Sequence, residues 1–215
     1  HQLRPRIQSR FLRPLGHRLN QLFIQRFQEC WVPDLPGADN LSGHLSHPPL
    51  GNSSPTYYIG WLSRFTNLSR GSSLKQDLDS LTVLSGPEPQ RTFLEQQILD
   101  QLPKIPGHHL LVRGVPQEAP ERKAGNIRIL NYLTGPALWR VLQRATVVVG
   151  RPGYSSLMDW GLAEKKALCI PTPGQTEQEY LAQRLYAEGR IAVQQQNDIR
   201  LENGLQAAMQ CKGLK

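Results

Sequence analysis

Short apolar runs alternate with longer amphipathic segments through the second half of this chain. Strands are predicted at 81–84, 109–112, 126–130, 146–149, 167–170 and 191–193. Helices are predicted at 90–102, 136–144, 154–163, 176–188 and 197–210. The runs are apolar on both faces, as buried parallel strands require. The pattern therefore predicts an α/β fold with a Rossmann-like parallel sheet and helices on both faces.

The first part of the chain is organised differently. Two short extended runs, 29–32 and 57–60, flank the stretch 35–55, which is rich in Gly, Ser, Asn and Pro and is typical of a linker. Upstream, an amphipathic helix is predicted over 15–28, with apolar residues at Leu15, Leu19, Leu22, Phe23 and Phe27. We therefore expect two units: 1–50, an incomplete domain end plus linker, and 51–215, a complete domain.

Composition restricts the class of protein. The chain has 215 residues, of which 39% are hydrophobic and 20% charged, a balance that excludes a disordered chain. It contains no apolar run near the roughly 18 residues of a membrane span. It begins at His1 without a Met or an apolar leader, so we expect a piece of a longer protein. The cysteines Cys30, Cys169 and Cys211 fit neither a zinc site nor a disulfide framework, which indicates a cytoplasmic location.

Positive charge is concentrated at the start of the chain. The net charge is +8, and 1–28 contains no acidic residue. The basic residues of that segment are Arg4, Arg6, Arg10, Arg13, Arg18 and Arg26. A basic amphipathic helix can lie peripherally on an anionic inner membrane, but it can equally be a solvated basic face above a buried leucine stripe. No nucleic-acid-binding motif is present, so a nucleic-acid partner is not expected.

Three loops that follow predicted strands carry candidate binding groups. In an open parallel sheet, ligands bind beyond the carboxyl ends of the strands. The first loop contains Ser85 and Gly86, whose backbone N–H groups can approach an anion. An ordinary turn between a strand and a helix is the alternative interpretation of this loop.

The second loop joins strand 146–149 to helix 154–163. Gly153 allows close backbone approach, and the N–H groups of Tyr154, Ser155 and Ser156 are expected at a helix start whose dipole favours phosphate. One turn further on, the Asp159 carboxylate can accept hydroxyls of a ribose. Alternatively, Ser155 is a helix cap and Asp159 a surface acid.

The third loop, 171–180, is dense in amide and carboxylate groups that can bind sugar hydroxyls. Its candidates are Gln175, Gln178 and Glu179. Thr176 and Glu179 also have the spacing of a helix capping box, in which Glu179 turns back to the backbone. Both interpretations remain open at this point.

The second and third loops, in this order, resemble the donor-binding domain of GT-B glycosyltransferases. The similarity covers roughly 56–210 and is strongest to MurG-like transferases of glycosyltransferase family 28 and to related bacterial glycosyltransferase-like proteins. It implies that 51–215 is the C-terminal half of a GT-B fold, which binds the nucleotide-sugar donor. It also implies that 1–50 is the end of the N-terminal acceptor domain.

The resemblance assigns roles to individual residues. Arg151 and Gly153 match the family's diphosphate-binding loop, and Asp159 stands at its ribose-binding acid. The donor-sugar pair of the family falls on Gln178 and Glu179, where the second position departs from Gln. The remaining assignments are Arg64 and Ser85-Gly86 to the diphosphate, and Asn131, Tyr132 and Leu133 to the edge of a uracil base.

The implied reaction moves a hexose from a nucleoside diphosphate sugar, with a UDP-sugar expected, to an acceptor hydroxyl. Neither a cofactor nor a metal is implied, and a lipid-linked acceptor is one candidate. The catalytic base is expected in the missing N-terminal domain, so no catalytic residue is assigned. We expect the present chain to bind the donor weakly and turn over little. The alternatives are a nucleotide-sugar epimerase or hydrolase on the same fold, and a basic binding module without enzymatic activity.

Overall fold

The computed structural model describes residues 3, 9, 11–47, 54–68, 75–116 and 120–214. The strands are β1 (Cys30–Val32), β2 (Thr56–Tyr58), β3 (Leu78–Val83), β4 (His109–Val112), β5 (Arg122–Ala124), β6 (Ile127–Leu130), β7 (Ala145–Gly150), β8 (Lys166–Cys169) and β9 (Ala192–Val193). The α-helices are α1 (Arg13–Ile24), α2 (Gln90–Gln101), α3 (Gly135–Arg144), α4 (Tyr154–Leu162), α5 (Thr176–Ala187) and α6 (Leu201–Gln210).

The main sheet has seven strands in the order β5-β6-β4-β3-β7-β8-β9, and all of them are parallel except β5. After β3 the chain adds β4, β5 and β6 on one side of that strand, and then returns to add β7 on its other side. This arrangement places a topological switch point between β3 and β7. The predicted Rossmann-like fold is therefore confirmed, whereas the short antiparallel edge strand β5, with three exposed residues, was not predicted.

Two apolar layers cover the sheet. One is built with α3, α4 and α5, and includes Trp139, Leu157 and Leu181. The other is built with α2 and α6, and includes Ile98 and Leu205. Successive residues of a strand point to opposite faces, so a strand covered on both sides must be apolar throughout. All four residues of β4 are buried accordingly.

The segment that precedes the predicted boundary packs onto the larger domain. Leu41 and Leu45 are buried in the same apolar layer as α4 and α5. Strand β1 also pairs in parallel with β2, on the other side of residue 50. Residues 48–53, where the boundary was predicted, lie outside the described residues. The assignment of 1–50 to an acceptor domain stays a prediction.

Helix α1 has an apolar face that the described part of the chain does not cover. Leu15, Leu22 and Phe23 are 57%, 55% and 63% exposed. The interpretation of this face as a buried leucine stripe is therefore wrong for the described residues, because no neighbouring element packs against it. Arg4, Arg6 and Arg10 lie outside the described residues. None of the described helices has the length and apolarity needed to cross a bilayer.

Candidate functional site

The three candidate loops meet at the carboxyl edge of the sheet. Ser85 and Gly86 follow β3, and both are exposed. The second loop follows β7, the neighbour of β3 across the switch point, and the third follows β8, the next strand. The start of α4 and the start of α5 are therefore adjacent, as a single binding site requires.

Gly150 and Gly153 differ in whether the surrounding packing leaves room for a side chain. A Cβ on Gly150 would lie 2.7 Å from the backbone oxygen of Val83, so the packing of β7 against β3 excludes one. A Cβ on Gly153 would meet only Ser156 Oγ, at 3.8 Å, an ordinary contact. Gly153 has a φ of −70°, which any residue adopts. Nothing in the described protein therefore requires glycine at position 153.

The start of α4 has no side-chain cap. Gly153 is the N-cap, and no side chain accepts a hydrogen bond there. The first helical hydrogen bond runs from Leu157 N–H to Gly153 O over 3.0 Å, so the N–H groups of Ser155 and Ser156 have no acceptor within the helix. These groups and the helix dipole make a site that favours an anion.

The side chain of Tyr154 points away from this helix start. Its Oη donates to the carbonyl oxygen of Pro33 over 2.9 Å, and the ring is buried. Burial and the nearby charge of Asp34 raise the pKa of the Tyr154 phenol. Tyr154 can therefore contribute its backbone to the candidate site, while its side chain fixes the segment after β1.

Asp34 organises that segment. Its carboxylate accepts hydrogen bonds from the N–H groups of Leu35, Leu41 and Ser42 and from the Ser42 hydroxyl. Burial alone would raise the pKa of Asp34, but the Ser42 hydroxyl and the three backbone donors together lower it below its ordinary value. The segment is thus held by an ionised, buried carboxylate.

Asp159 and Arg64, which the resemblance assigns to the ribose and the diphosphate, lie together. Asp159 is buried; it accepts from Ser63 Oγ over 2.7 Å and from Arg64 Nε over 2.9 Å. The Arg64 side chain remains 59% exposed and passes over the ring of Phe65. The idea that Asp159 is a plain surface acid is wrong, because the loop 60–65 covers it.

Arg151 departs from its expected role as a direct diphosphate ligand. Its side chain is buried, and Nη1 donates to the carbonyl oxygens of Ile170 and Pro171 over 2.9 and 3.0 Å. Nη2 donates to the carbonyl oxygen of Gln90 over 3.1 Å and to the side chain of Gln196. Four of its N–H groups therefore donate to acceptors inside the protein rather than at the surface of the site.

The third loop binds its own backbone. Gln178 Oε1 accepts from Thr172 N–H over 2.9 Å, and Glu179 Oε1 accepts from Gly174 N–H over 2.8 Å. Gln175, not Thr176, is the N-cap of α5, so the predicted capping box is wrong. The related expectation that Glu179 turns back to the backbone is correct in kind, with Gly174 as its partner. Gln175 is exposed.

An open cleft of about 500 Å³ lies beside the start of α5. Its lining residues are Pro171, Glu179, Ala182, Gln183, Tyr186, Val193 and Gln195. The floor is apolar, and the rim carries a carboxylate, two amides and a phenol. Within the described ranges, no cluster of three or more His, Cys, Asp or Glu has the proximity needed to hold a metal ion.

The sequence comparison with protein families decides the identity of this domain. The model described as glycosyltransferase family 28 C-terminal domain matches residues 83–212. This chain belongs to that family. The match covers all three candidate loops and confirms the resemblance on which their assignments rest. A comparison with curated proteins found no match.

Solved structures similar to this family 28 domain are glycosyltransferases. The glycotransferase of kitacinnamycin shares 15% identity, with a TM-score of 0.60 over 92% of this chain and 51% of that chain. The spinosyn forosaminyltransferase SpnP shares 12% identity, with a TM-score of 0.56 over 96% and 56%. The MurG of Acinetobacter baumannii shares 16% identity, with a TM-score of 0.46 over 64% and 46%. The chain thus spans about half the length of the first two, and the likeness to them shows the fold.

The family 28 domain contains a polar network that the sequence did not indicate. Arg113 donates from Nε to Glu95 and from Nη1 to Asn131 Oδ1, the latter over 3.0 Å, and Glu95 also accepts from Arg91. The network reaches Glu88 in the first loop through Arg91. Its members are separated in sequence and follow no motif, so only the fold brings them together.

The three predicted base-binding residues lie at one end of this network. The carbonyl oxygen of Asn131 already accepts from Val115 N–H over 3.0 Å. Leu133 packs partly against the core, and the Tyr132 ring is exposed. The backbone of this loop is therefore fixed, while one aromatic face is open to solvent.

Proposed function

We propose that this family 28 domain binds a nucleoside diphosphate sugar with the diphosphate at the start of α4. The observation that carries the proposal is Gly153. A Cβ on Gly153 would meet only Ser156 Oγ, whereas one on Gly150 would collide with the Val83 carbonyl oxygen, and the open space at Gly153 favours a ligand that approaches the backbone. The uncapped N–H groups of Ser155 and Ser156 lie beside it.

The ribose is assigned to Asp159 and the diphosphate to Arg64, Ser85, Gly86 and the α4 start. Each oxygen of Asp159 has one protein donor, and a carboxylate oxygen accepts two hydrogen bonds, so ribose hydroxyls can be added. The exposed guanidinium of Arg64 has nitrogens beyond its Asp159 contact. Gly86 has a φ of +102° and open space where a Cβ would be, which suits backbone contact with a phosphate.

The base and the sugar are assigned to the flanking loops. Tyr132 offers an exposed ring to a base, and the fixed backbone at Asn131 and Leu133 supports recognition of its edge, with uracil as the proposed base. The sugar is assigned to Gln175, Gln178 and Glu179. Of these, Glu179 lines the cleft beside α5, whose apolar and polar lining residues suit a hexose. Gln178 can offer its amide nitrogen, since its oxygen binds Thr172.

The proposed chemistry is transfer of the hexose to an acceptor hydroxyl. As the bond to the sugar breaks, negative charge develops on the leaving diphosphate. Backbone N–H groups fixed at a helix start, together with Arg64, stabilise this charge without reorganising, and each such donor is worth about 3 kcal/mol. In this proposal these donors perform the charge stabilisation that a metal ion supplies in other transferases.

Calorimetric titration of the chain with UDP, ADP and GDP sugars tests the proposal. Weak but saturable binding is expected, with UDP-sugars preferred and with loss of binding in Gly153→Trp and Asp159→Ala. Absence of binding, or binding that both variants leave unchanged, would contradict it. The epimerase or hydrolase alternative predicts a changed or cleaved donor in the absence of any acceptor.

The whole protein is proposed to be a two-domain transferase with residues 1–50 at the end of its acceptor-binding half. Support comes from the uncovered apolar face of α1 and from solved relatives about twice the length of this chain. The missing half would cover that face and supply the acceptor site and the base. Liposome binding by the chain, reduced in Arg18→Glu and Arg26→Glu, would instead favour an anionic membrane as the occupant of the α1 face.

A further inference from the structure

The carboxyl edge of the sheet is tied together by a single side chain. Arg151 belongs to the loop after β7 and bonds the carbonyl oxygens at the end of β8. It also bonds the Gln90 carbonyl oxygen at the start of α2, which follows the β3 loop, and Gln196 after β9. Gln196 in turn donates to the Gln90 side chain over 2.7 Å. Four consecutive loops of this edge thus share one guanidinium.

The charge of this guanidinium is not neutralised within the described protein. Its described partners are carbonyl and amide oxygens, none of them a carboxylate. Burial lowers the pKa of Arg151 to about 10, so the group remains a cation at neutral pH. A buried cation without a counter-ion is costly, and its Nε is buried without a hydrogen-bond acceptor.

We infer that Arg151 is a positioning residue of the donor site, which fixes the loops after β3, β7, β8 and β9 and places an unpaired positive charge beneath a bound diphosphate. The inference rests on the proposed function. It differs from direct ligation, because the guanidinium acts through the loops that it fixes and through its charge, while its donors face the protein interior.

The opposite end of β7 provides a matched control. Lys165 is also buried, and its Nζ donates to the carbonyl oxygens of Gln143 and Ala145, both over 2.9 Å. Ala145 begins β7 and Arg151 directly follows its end. A strand of this length separates the two cations by roughly 17–20 Å. Removal of either charge should lower the free energy of unfolding, but only Arg151 lies under the proposed diphosphate.

The experiment compares the affinities of the 215-residue chain for a nucleoside diphosphate and for the monophosphate of the same nucleoside. In Arg151→Gln the ratio of these affinities should fall about tenfold, because the second phosphate loses a fixed positive charge beneath it. In Arg151→Lys the ratio should be largely retained while both affinities fall, because one ammonium keeps the charge but, with three donors, cannot make all four hydrogen bonds of the guanidinium. In Lys165→Gln the ratio should not change. Circular dichroism checks the fold of each variant.

The outcomes separate the inference from the proposed function. If the wild-type chain binds no nucleoside diphosphate, both fail. If it binds and a folded Arg151→Gln keeps the wild-type ratio, the charge is irrelevant and the inference fails alone. If Arg151→Gln does not fold, Arg151→Lys decides: wild-type affinities for both ligands would overturn the positioning role, and a parallel fall in both would support it.

Discussion

The starts of α4 and α5 are built from the same elements but differ in how the preceding loop is held. Each follows a buried parallel strand, each begins after a Gly-containing loop, and the two strands are neighbours. At α5, the side chains of Gln178 and Glu179 accept hydrogen bonds from the backbone N–H groups of the preceding loop. Neither helix has a side-chain N-cap, and at α4 Gly153 leaves space over the N–H groups of the helix start.

The comparison concerns which backbone N–H groups at this edge of the sheet have acceptors within the protein. Free N–H groups at a helix start must find acceptors in side chains, water or a ligand. In the loop before α5, the N–H groups of Thr172 and Gly174 are bonded to α5 side chains, which holds that loop in place although α5 has no side-chain cap. At α4, the proposed function assigns an anionic diphosphate as the acceptor of the helix-start N–H groups. Four substitutions test this division, in decreasing order of expected effect.

The largest effect on binding is expected from a bulky residue at Gly153, at the start of α4. In Gly153→Trp, nucleoside diphosphate affinity should fall by about 100-fold or more, because the indole occupies the space over the N–H groups of Ser155 and Ser156. The free energy of unfolding should change by less than about 0.5 kcal/mol, since this site has no steric demand. Calorimetry and urea unfolding measure the two quantities.

The control for that variant is the neighbouring glycine. Gly150→Ala should lower the free energy of unfolding by about 1–3 kcal/mol, because its Cβ collides with the Val83 carbonyl oxygen. A Gly153→Trp protein that loses as much stability as Gly150→Ala would show that position 153 is also a packing glycine. The contrast between the two junctions would then lose its main support.

A smaller effect on binding is expected one turn into α4. Asp159→Asn should reduce nucleoside diphosphate affinity about tenfold, because the ribose loses a charged acceptor and Arg64 loses its ion pair. Ser63→Ala is the matched control: it removes one donor to Asp159 but keeps the carboxylate, so affinity should fall less. Equal losses in the two variants would mean that loop 60–65, and not the carboxylate, carries the effect.

At the start of α5, a substitution should change the free energy of unfolding rather than the affinity for a nucleoside diphosphate. Gln178→Leu leaves the buried N–H of Thr172 without its acceptor, so the free energy of unfolding should fall by about 1–3 kcal/mol. Glu179→Gln keeps an acceptor for Gly174 and serves as the control. Thermal unfolding of both variants gives the comparison, and an unchanged Gln178→Leu would refute the bracing role.

The smallest effect concerns the Tyr154 side chain. Tyr154→Phe removes the hydrogen bond to the Pro33 carbonyl oxygen together with the phenol's contacts to Asp34 and Ser42, which should cost about 1 kcal/mol of stability. Nucleoside diphosphate affinity should stay unchanged, because the backbone of α4 is intact. A marked loss of affinity in a stable Tyr154→Phe protein would place the phenol, and not only the backbone, in the site.

Much of the local structure could be predicted from the sequence. Apolar runs such as 109–112 coincide with strands because a strand covered on both faces has to be apolar along its whole length. The edge strand β5 was missed because its residues, Arg122 to Ala124, are exposed and show neither periodicity nor burial. Periodicity also identified α1, but it could not show whether the apolar face has a partner in this chain.

The sequence by itself determined the α/β class and the family, because the first follows from periodicity and the second from short motifs along the chain, whereas the binding role of the three loops stays a prediction. Only the tertiary structure decided what each polar side chain does. It turned Arg151 inward to four carbonyl and amide acceptors, covered Asp159 with Ser63 and Arg64, and bent Gln178 back to Thr172. A side chain's partners are set by which strands become neighbours, and strand order arises from the folding of the whole chain.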